Sequence, residues 1–315
     1  MKSIWALDAR SHMLQSLFDG ILVGSILSLG AIGLTLIMHI LRFANFSHAE
    51  LISLGAYFTL TLDKTVSALS SVLTTKLPAL SVSISLMIAM AMALLITGII
   101  AAIIDVLIFK RLRDNAGPLT MVFASFGIAL IVRNIIGLVY GLKSTHYNND
   151  ITFAMMLSAE PLLLVKADQL FILGVTVVVM VALHLMITKT SVGYALLAVS
   201  ENPVLAQVNG INLAAMVRLA WLLGGALATI AGVCYALDNQ LSPVMGRDLV
   251  LSLFAAAIVG GIGSIYGAAL GGLIVGLASS LALVLVPTGY KPAIPFVIII
   301  LALYIRPNGL FGEER

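Results

Sequence analysis

Apolar residues run along this sequence in long blocks, broken at intervals by short polar knots. Leu77–Ile104 holds no charged residue over 28 positions, and Leu249–Tyr290 none over 42. A bilayer core about 30 Å thick is crossed by roughly 20 helical residues, so each block is long enough to span it. The knots leave apolar segments at about 14–41, 51–62, 79–107, 118–140, 169–187, 214–237, a glycine-rich pair within 249–286, and 293–305. Leu51–Leu62 is the short one, since twelve helical residues rise only about 18 Å. Either the polar residues before it complete the span, or it is a re-entrant helix. The apolar run Gly20–Leu41 is longer than a secretory-signal core and is read as a retained first span. The pattern predicts an all-α, polytopic transmembrane helical bundle of about eight hydrophobic segments, some short or broken, in a single domain over 1–315.

Composition agrees. The chain is 61% hydrophobic and 10% charged, whereas an ordinary soluble domain is roughly 45–50% apolar and about 25% charged. So few charges cannot coat a water-facing surface, which excludes a soluble enzyme, a disordered protein and a nucleic-acid binder. The formal net charge of +3 is too small to point to a polyanion. Cys234 is the only cysteine, so no internal disulfide and no cysteine metal cluster is expected.

Lys and Arg in short loops set orientation. Lys110, Arg111 and Arg113 cluster after one span, and Lys189, Arg218 and Arg306 lie at span ends on the same expected side. The 141–168 loop balances Lys143 and Lys166 against Asp150, Glu160 and Asp168. The expectation is that 110–117, 188–213 and the C-terminus are cytoplasmic, and that 141–168 and 238–248 face outward. Arg42 on the cytoplasmic side would put the N-terminus outside; Lys2 and Arg10 weigh against that, and this side stays open.

Four clusters are candidates for function. In the tail, Gly260, Gly261 and Gly263 precede Gly267, Gly271, Gly272 and Gly276. Spacing of four stacks small positions on one helix face, which lets two backbones approach closely in lipid. The same cluster is where a helix can break beside a pathway. The knot Arg42–Glu50 sets Asn45, Ser47, His48 and Glu50 between two apolar runs. It reads either as a turn whose polar groups cap the next helix, or as part of a pathway or gate. His48 and Glu50, two apart, do not share a helix face, which argues against a metal pair. Arg133 interrupts an apolar stretch; snorkelling or a structural hydrogen bond is the plainer reading, substrate contact the sharper one. His184, near the end of its span, is read in the same plain way.

The sharpest local signal is Ser200–Asn212. Pro203 suits a first helical position, with Asn202 or Ser200 as cap and Gly210 or Asn209 as a left-handed stop. This specifies a two-turn helix at 203–209, with Val204, Leu205, Val208 and Ile211 on one face. So short a helix needs something packed on that face, either the membrane base of the protein or a cytosolic partner. No GxxxxGK[ST], GxSxG, HExxH or paired CxxC occurs, so the chain carries no phosphate loop and no recognisable catalytic set.

In order along the chain, several strings resemble the permease subunit of branched-chain amino-acid ABC importers. They are Gly33–Ile37 with Arg42–His48, Leu54–Tyr57, Thr190–Ala195 leading to Glu201-Asn202-Pro203, Ala206 and Gly210–Asn212, Pro243–Gly246, Gly260–Ser264, and Arg306–Gly312. The resemblance implies an ABC importer permease fold that is not itself an enzyme and carries no cofactor, with ATP and Mg held on partner ATPases. It implies two ABC ATPase subunits, a second homologous permease, a periplasmic solute-binding protein and a bacterial inner membrane around the bundle. Glu201, Asn202, Pro203, Val204, Leu205, Ala206, Val208, Gly210 and Ile211 would then form the ATPase-coupling helix of a cytoplasmic loop at about 188–213. Asn45, Ser47, His48, Glu50, Arg133, Gly260, Gly261 and Gly263 would be pathway candidates. Related permeases carry branched-chain and other amino acids, urea or short amides. Ala49, Tyr194 and Leu197 depart from the family pattern, which expects Gly at the first position and often basic residues at the others. The rival reading is an ion-coupled secondary transporter or channel built on Glu50, His48 and Arg133.

Overall fold

The computed structural model describes residues 2–69, 71–75, 82–115, 117–147, 155–158 and 163–312. Asp150 and Glu160, part of the loop charge balance above, lie outside the described residues. Among the described residues there are twelve α-helices: α1 (Lys2–Leu41), α2 (Ser47–Leu69), α3 (Ile84–Ile104), α4 (Lys110–Asn115), α5 (Pro118–Tyr140), α6 (Ala167–Lys189), α7 (Ser191–Glu201), α8 (Pro203–Val208), α9 (Leu213–Asp238), α10 (Met245–Gly260), α11 (Ile265–Leu285) and α12 (Ile294–Ile305). Among the described residues, seven helical stretches are long and apolar enough to cross a membrane. The 141–168 loop also carries a small antiparallel pair, β1 (Met155–Ser158) with β2 (Leu163–Val165), which the polar loop composition did not announce.

The core is apolar as in a water-soluble bundle, but here much of the outer surface is apolar too. From Leu22 to Met38, α1 is almost wholly enclosed. Large apolar side chains such as Leu95 on α3, Phe123 on α5, Val178 on α6 and Ile300 on α12 are more than half exposed. Continuous exposed apolar faces of this kind are stable against acyl chains. α1 is therefore the mast of the bundle, packed against α9, α10 and above all α11.

Glycines make that packing close. Gly272 and Gly276 face α1, where any side-chain carbon would overlap the backbones of Ser28 and Gly24. Ser28 Oγ donates across this seam to the Ala269 carbonyl, 2.6 Å away. The neighbouring face of α11 turns Gly267 and Gly271 toward Gly260 and Ala256 of α10. The packing reading of the glycine stripe thus holds on two faces of one helix. Gly276→Val is expected to cost about 1–3 kcal/mol by overpacking, read as a lowered unfolding midpoint in detergent.

α2 starts deeper than its charge pattern suggested. The connection 42–46 turns back after α1, with Arg42 in a left-handed conformation (φ 55°). His48 is brought level with Gly30 and Gly33 of α1, so α2 begins inside the bundle. The short run 51–62 becomes part of a 23-residue helix, because the knot supplies its first turn and Asp63 and Lys64 continue it. Its first turn is capped: Asn45 Oδ1 accepts from Ser47 N (3.1 Å) and Ser47 Oγ (2.6 Å).

The tail breaks where the glycines cluster. α10 stops at Gly260, and Gly261 and Gly263 both take φ 102° before α11 resumes at Ile265, capped by Ser264. The carboxyl-terminal strip lies against this break, Leu310 N donating to Val259 O (2.9 Å) and Phe311 N to Gly260 O (3.1 Å). Gly309 approaches so closely that a side chain there would overlap Gly261.

Candidate functional site

The two ends of the bundle differ. One end gathers α7, α8, the α10–α11 break and the final strip. Here Thr190 accepts from Gly193 N (3.1 Å) and starts α7, a helix within the 188–213 loop beyond the two-turn one expected there. Asn202 Oδ1 then accepts from Val204 N (3.1 Å) and Leu205 N (3.0 Å), with Pro203 at the first helical position. Gly210 takes φ 83°, and Ile211 N closes back on Ala206 O at 3.0 Å. Each local signal for a short capped helix is therefore realised. Ala206 points inward at 3% exposure, whereas Val204, Leu205 and Val208 stand out at 69%, 57% and 80%. Ile211 is half-buried. The membrane base of the chain does not cover the apolar face of α8. Arg42 anchors the loop from below, donating to the Glu201 carbonyl at 3.3 Å.

The pathway candidates fall into two structural groups. Asn45, Ser47, His48 and Glu50 are all essentially without exposure. His48 Nε2 is hydrogen-bonded to the Gly30 carbonyl at 3.0 Å. Arg133 does not snorkel: its Nε donates to Glu50 Oε1 at 3.0 Å, and Nη2 reaches the same oxygen. This ion pair ties α5 to α2 inside the bundle. Gly260, Gly261 and Gly263 seat the final strip, α11 and His39. A second buried carboxylate, Asp105, pairs with Arg113 (2.7 Å) across a π-turn at Asp105–Phe109 that joins α3 to α4. His184 Nδ1 lies 2.9 Å from the Tyr266 hydroxyl. Among the described residues no three His, Cys, Asp or Glu side chains are placed to hold a metal.

An open space lies at the opposite end. A cavity of about 920 Å³ runs down between α1, α9, α10 and α11, closed at one side by the turn before α12. It follows α1 from Ser16 to Leu27, a depth of about 16 Å. Its upper wall carries Asp19, Gln169, Asp238, Asn239, Arg247, Asp248 and Lys291; its lower wall is Leu22, Ile26, Leu27 and Leu249. None of the eight pathway candidates lines it. The sequence hid this site, because its polar groups lie at span ends far apart in the chain, where solvated charges are ordinary. Only the convergence of those ends reveals it.

A membrane bundle with a solute-sized vestibule at one end and a bare apolar knob at the other has the build of a transport subunit. Comparison with known proteins gives the family. The profile described as "Branched-chain amino acid transport system / permease component" matches residues 16–303. The chain belongs to this permease family. It is 29% identical over 307 residues to the high-affinity branched-chain amino acid transport system permease protein BraD of Pseudomonas aeruginosa, covering 96% of this chain and 97% of that one. It is 28% identical over 313 residues to LivH of Salmonella typhimurium, with the same coverage. The probable LivH of Methanocaldococcus jannaschii is 30% identical over 303 residues, covering 93% of this chain and 91% of its own. Among solved structures, PsaBC from Streptococcus pneumoniae in complex with Fab aligns over 95% of this chain and 94% of that chain, at 18% identity and a TM-score of 0.46.

Proposed function

We propose that this chain is the membrane subunit of an ATP-driven importer for branched-chain amino acids or related small solutes, powered by two ATPase subunits seated on α8. The observation that carries this is the exposed apolar face of α8, held rigid by caps at both ends. An apolar knob displayed beside cationic loop ends, outside the expected bilayer, fits a groove in a cytosolic protein. The chain itself has no phosphate loop, so on this reading the partner hydrolyses the ATP. On this reading the α7–α8 end and the C-terminus are cytoplasmic, and the vestibule opens outward to receive solute from a periplasmic binding protein. A second permease, identical or related, completes the pathway.

The rival ion-coupled reading loses support from the same geometry. Glu50 and Arg133 neutralise each other, and His48 is bound to backbone, away from the cavity. Reconstitution separates the two readings. The chain alone in liposomes is expected to accumulate no leucine under a proton or sodium gradient. Vesicles that also hold the ATPases, the second permease and the binding protein are expected to accumulate leucine only with ATP. Gradient-driven accumulation by the chain alone would overturn the importer reading.

A further inference from the structure

The outer surface of the bundle holds a polar side chain that lipid does not serve. Asn134 is exposed on α5, six residues or about 9 Å in from the Tyr140 end, so it lies at hydrocarbon depth. Its Nδ2 donates to the Leu130 carbonyl of its own helix at 2.7 Å; among the described residues its amide oxygen accepts no hydrogen bond. Acyl chains offer that oxygen no donor, and polar groups held at this depth normally face a protein partner or a water-filled cavity. Other outward faces differ. The exposed positions of α3 are all apolar, and His184, exposed on α6, has its partner in Tyr266. α5 packs on the bundle chiefly through α2, which leaves its other side free.

Asn134 stands within an ordered seam. Phe123, Gly127, Leu130 and Asn134 follow at alternating steps of four and three, with Leu138 one turn further, so they share one helix face. Phe123 and Leu138 are 68% and 87% exposed. At Gly127 no atom lies within 4 Å of the place a side chain would take, so a second backbone is able to come close. We propose, on the reading above in which a second permease completes the pathway, that this face of α5 is the contact between two copies of the chain, related by a two-fold axis along the membrane normal. Both copies cross the bilayer in the same sense, so their α5 helices run parallel and Asn134 meets Asn134 at equal depth. An amide carries both donors and an acceptor and is therefore complementary to itself. A lone Asn in an apolar two-stranded seam fixes the register and favours a pair over larger assemblies. A different permease would have to supply a matching amide at that depth, whereas a second copy has it by construction. The same contact shields Arg133, partly exposed beside Asn134, from lipid.

Cys234 is fully buried, so a single introduced cysteine reports alone. In oxidised membranes that hold the full chain, Leu130→Cys and Leu138→Cys are each expected to yield a disulfide-linked dimer of twice the chain mass. Leu95→Cys on α3 and Ile300→Cys on α12, also exposed, are expected to stay monomeric. Energy transfer between donor- and acceptor-tagged chains in liposomes, read as added lipid dilutes them, gives the dissociation constant. Asn134→Leu is expected to raise it about tenfold, the effect of losing an interhelical amide pair. The unfolding midpoint of that variant in detergent is expected not to fall. Asn134→Gln, which keeps an amide, is expected to stay within about threefold of the parent. Linking at Leu95→Cys or Ile300→Cys as fast as at the seam overturns the proposal, because it reports mere collision. So does a dimer indifferent to Asn134→Leu, or a seam cysteine that stays unlinked or links only to a different membrane protein. A lowered midpoint overturns it too, since the amide would then serve its own chain. Self-pairing without ATP-driven uptake in the complete vesicles sinks the importer reading alone; ATP-driven uptake by chains that never link at α5 sinks this contact alone.

Discussion

Arg133→Ala is expected to destabilise the bundle by about 3–5 kcal/mol, the usual cost of leaving one member of a buried ion pair without its partner. Glu50 is 1% exposed and takes both contacts from Arg133 on one oxygen, and its second oxygen has no protein partner. Removing the guanidinium therefore leaves a carboxylate surrounded by α2, α5 and lipid-depth side chains. The measurement is the unfolding midpoint of purified chain in detergent, together with its yield from membranes. Removing both charges is a different matter, because a well-packed apolar pair of similar volume is often as stable as the ion pair. Glu50→Leu with Arg133→Met is accordingly expected to recover most of the loss. If the double variant is no better than Arg133→Ala, the charge-pair account of the α2–α5 contact is wrong.

The second large effect is on transport rather than on folding. Val204→Asp with Val208→Asp is expected to abolish ATP-dependent uptake in the assembled system and leave the unfolding midpoint within about 0.5 kcal/mol of the parent. Both side chains stand mostly free of their own chain. A carboxylate pressed into an apolar groove costs several kcal/mol, and about 3 kcal/mol already weakens association by about a hundredfold. Co-purification with the ATPases reads the association, and labelled leucine uptake reads the consequence. Normal uptake by a fully assembled variant would remove α8 from the energy pathway.

What the sequence made legible follows from which signals are local. Charge-free runs mark spans because the bilayer acts on each segment separately, and α8 is announced by Asn202, Pro203 and Gly210 within nine residues. The break at Gly260–Gly263 is visible for the same reason. The Glu50–Arg133 contact is not, since 83 residues separate the pair and either residue alone suits an interfacial position. Asp63 and Lys64 shortened the expected second span, although the helix runs through them to Leu69. The vestibule was least visible of all. Asp19, Asp238 and Arg247 each resemble ordinary span-end charges until α1, α9 and α10 bring them to one space.

The central position of α1 bears on how the protein is made. α1 is synthesised long before α11, its main neighbour in the bundle. Until α11 is made, the glycine-bearing flank of α1 lacks its mate, and this seam of the bundle cannot close. Nascent chains that stop after α9 therefore leave Gly20, Gly24 and Ser28 without the α11 backbone that covers them.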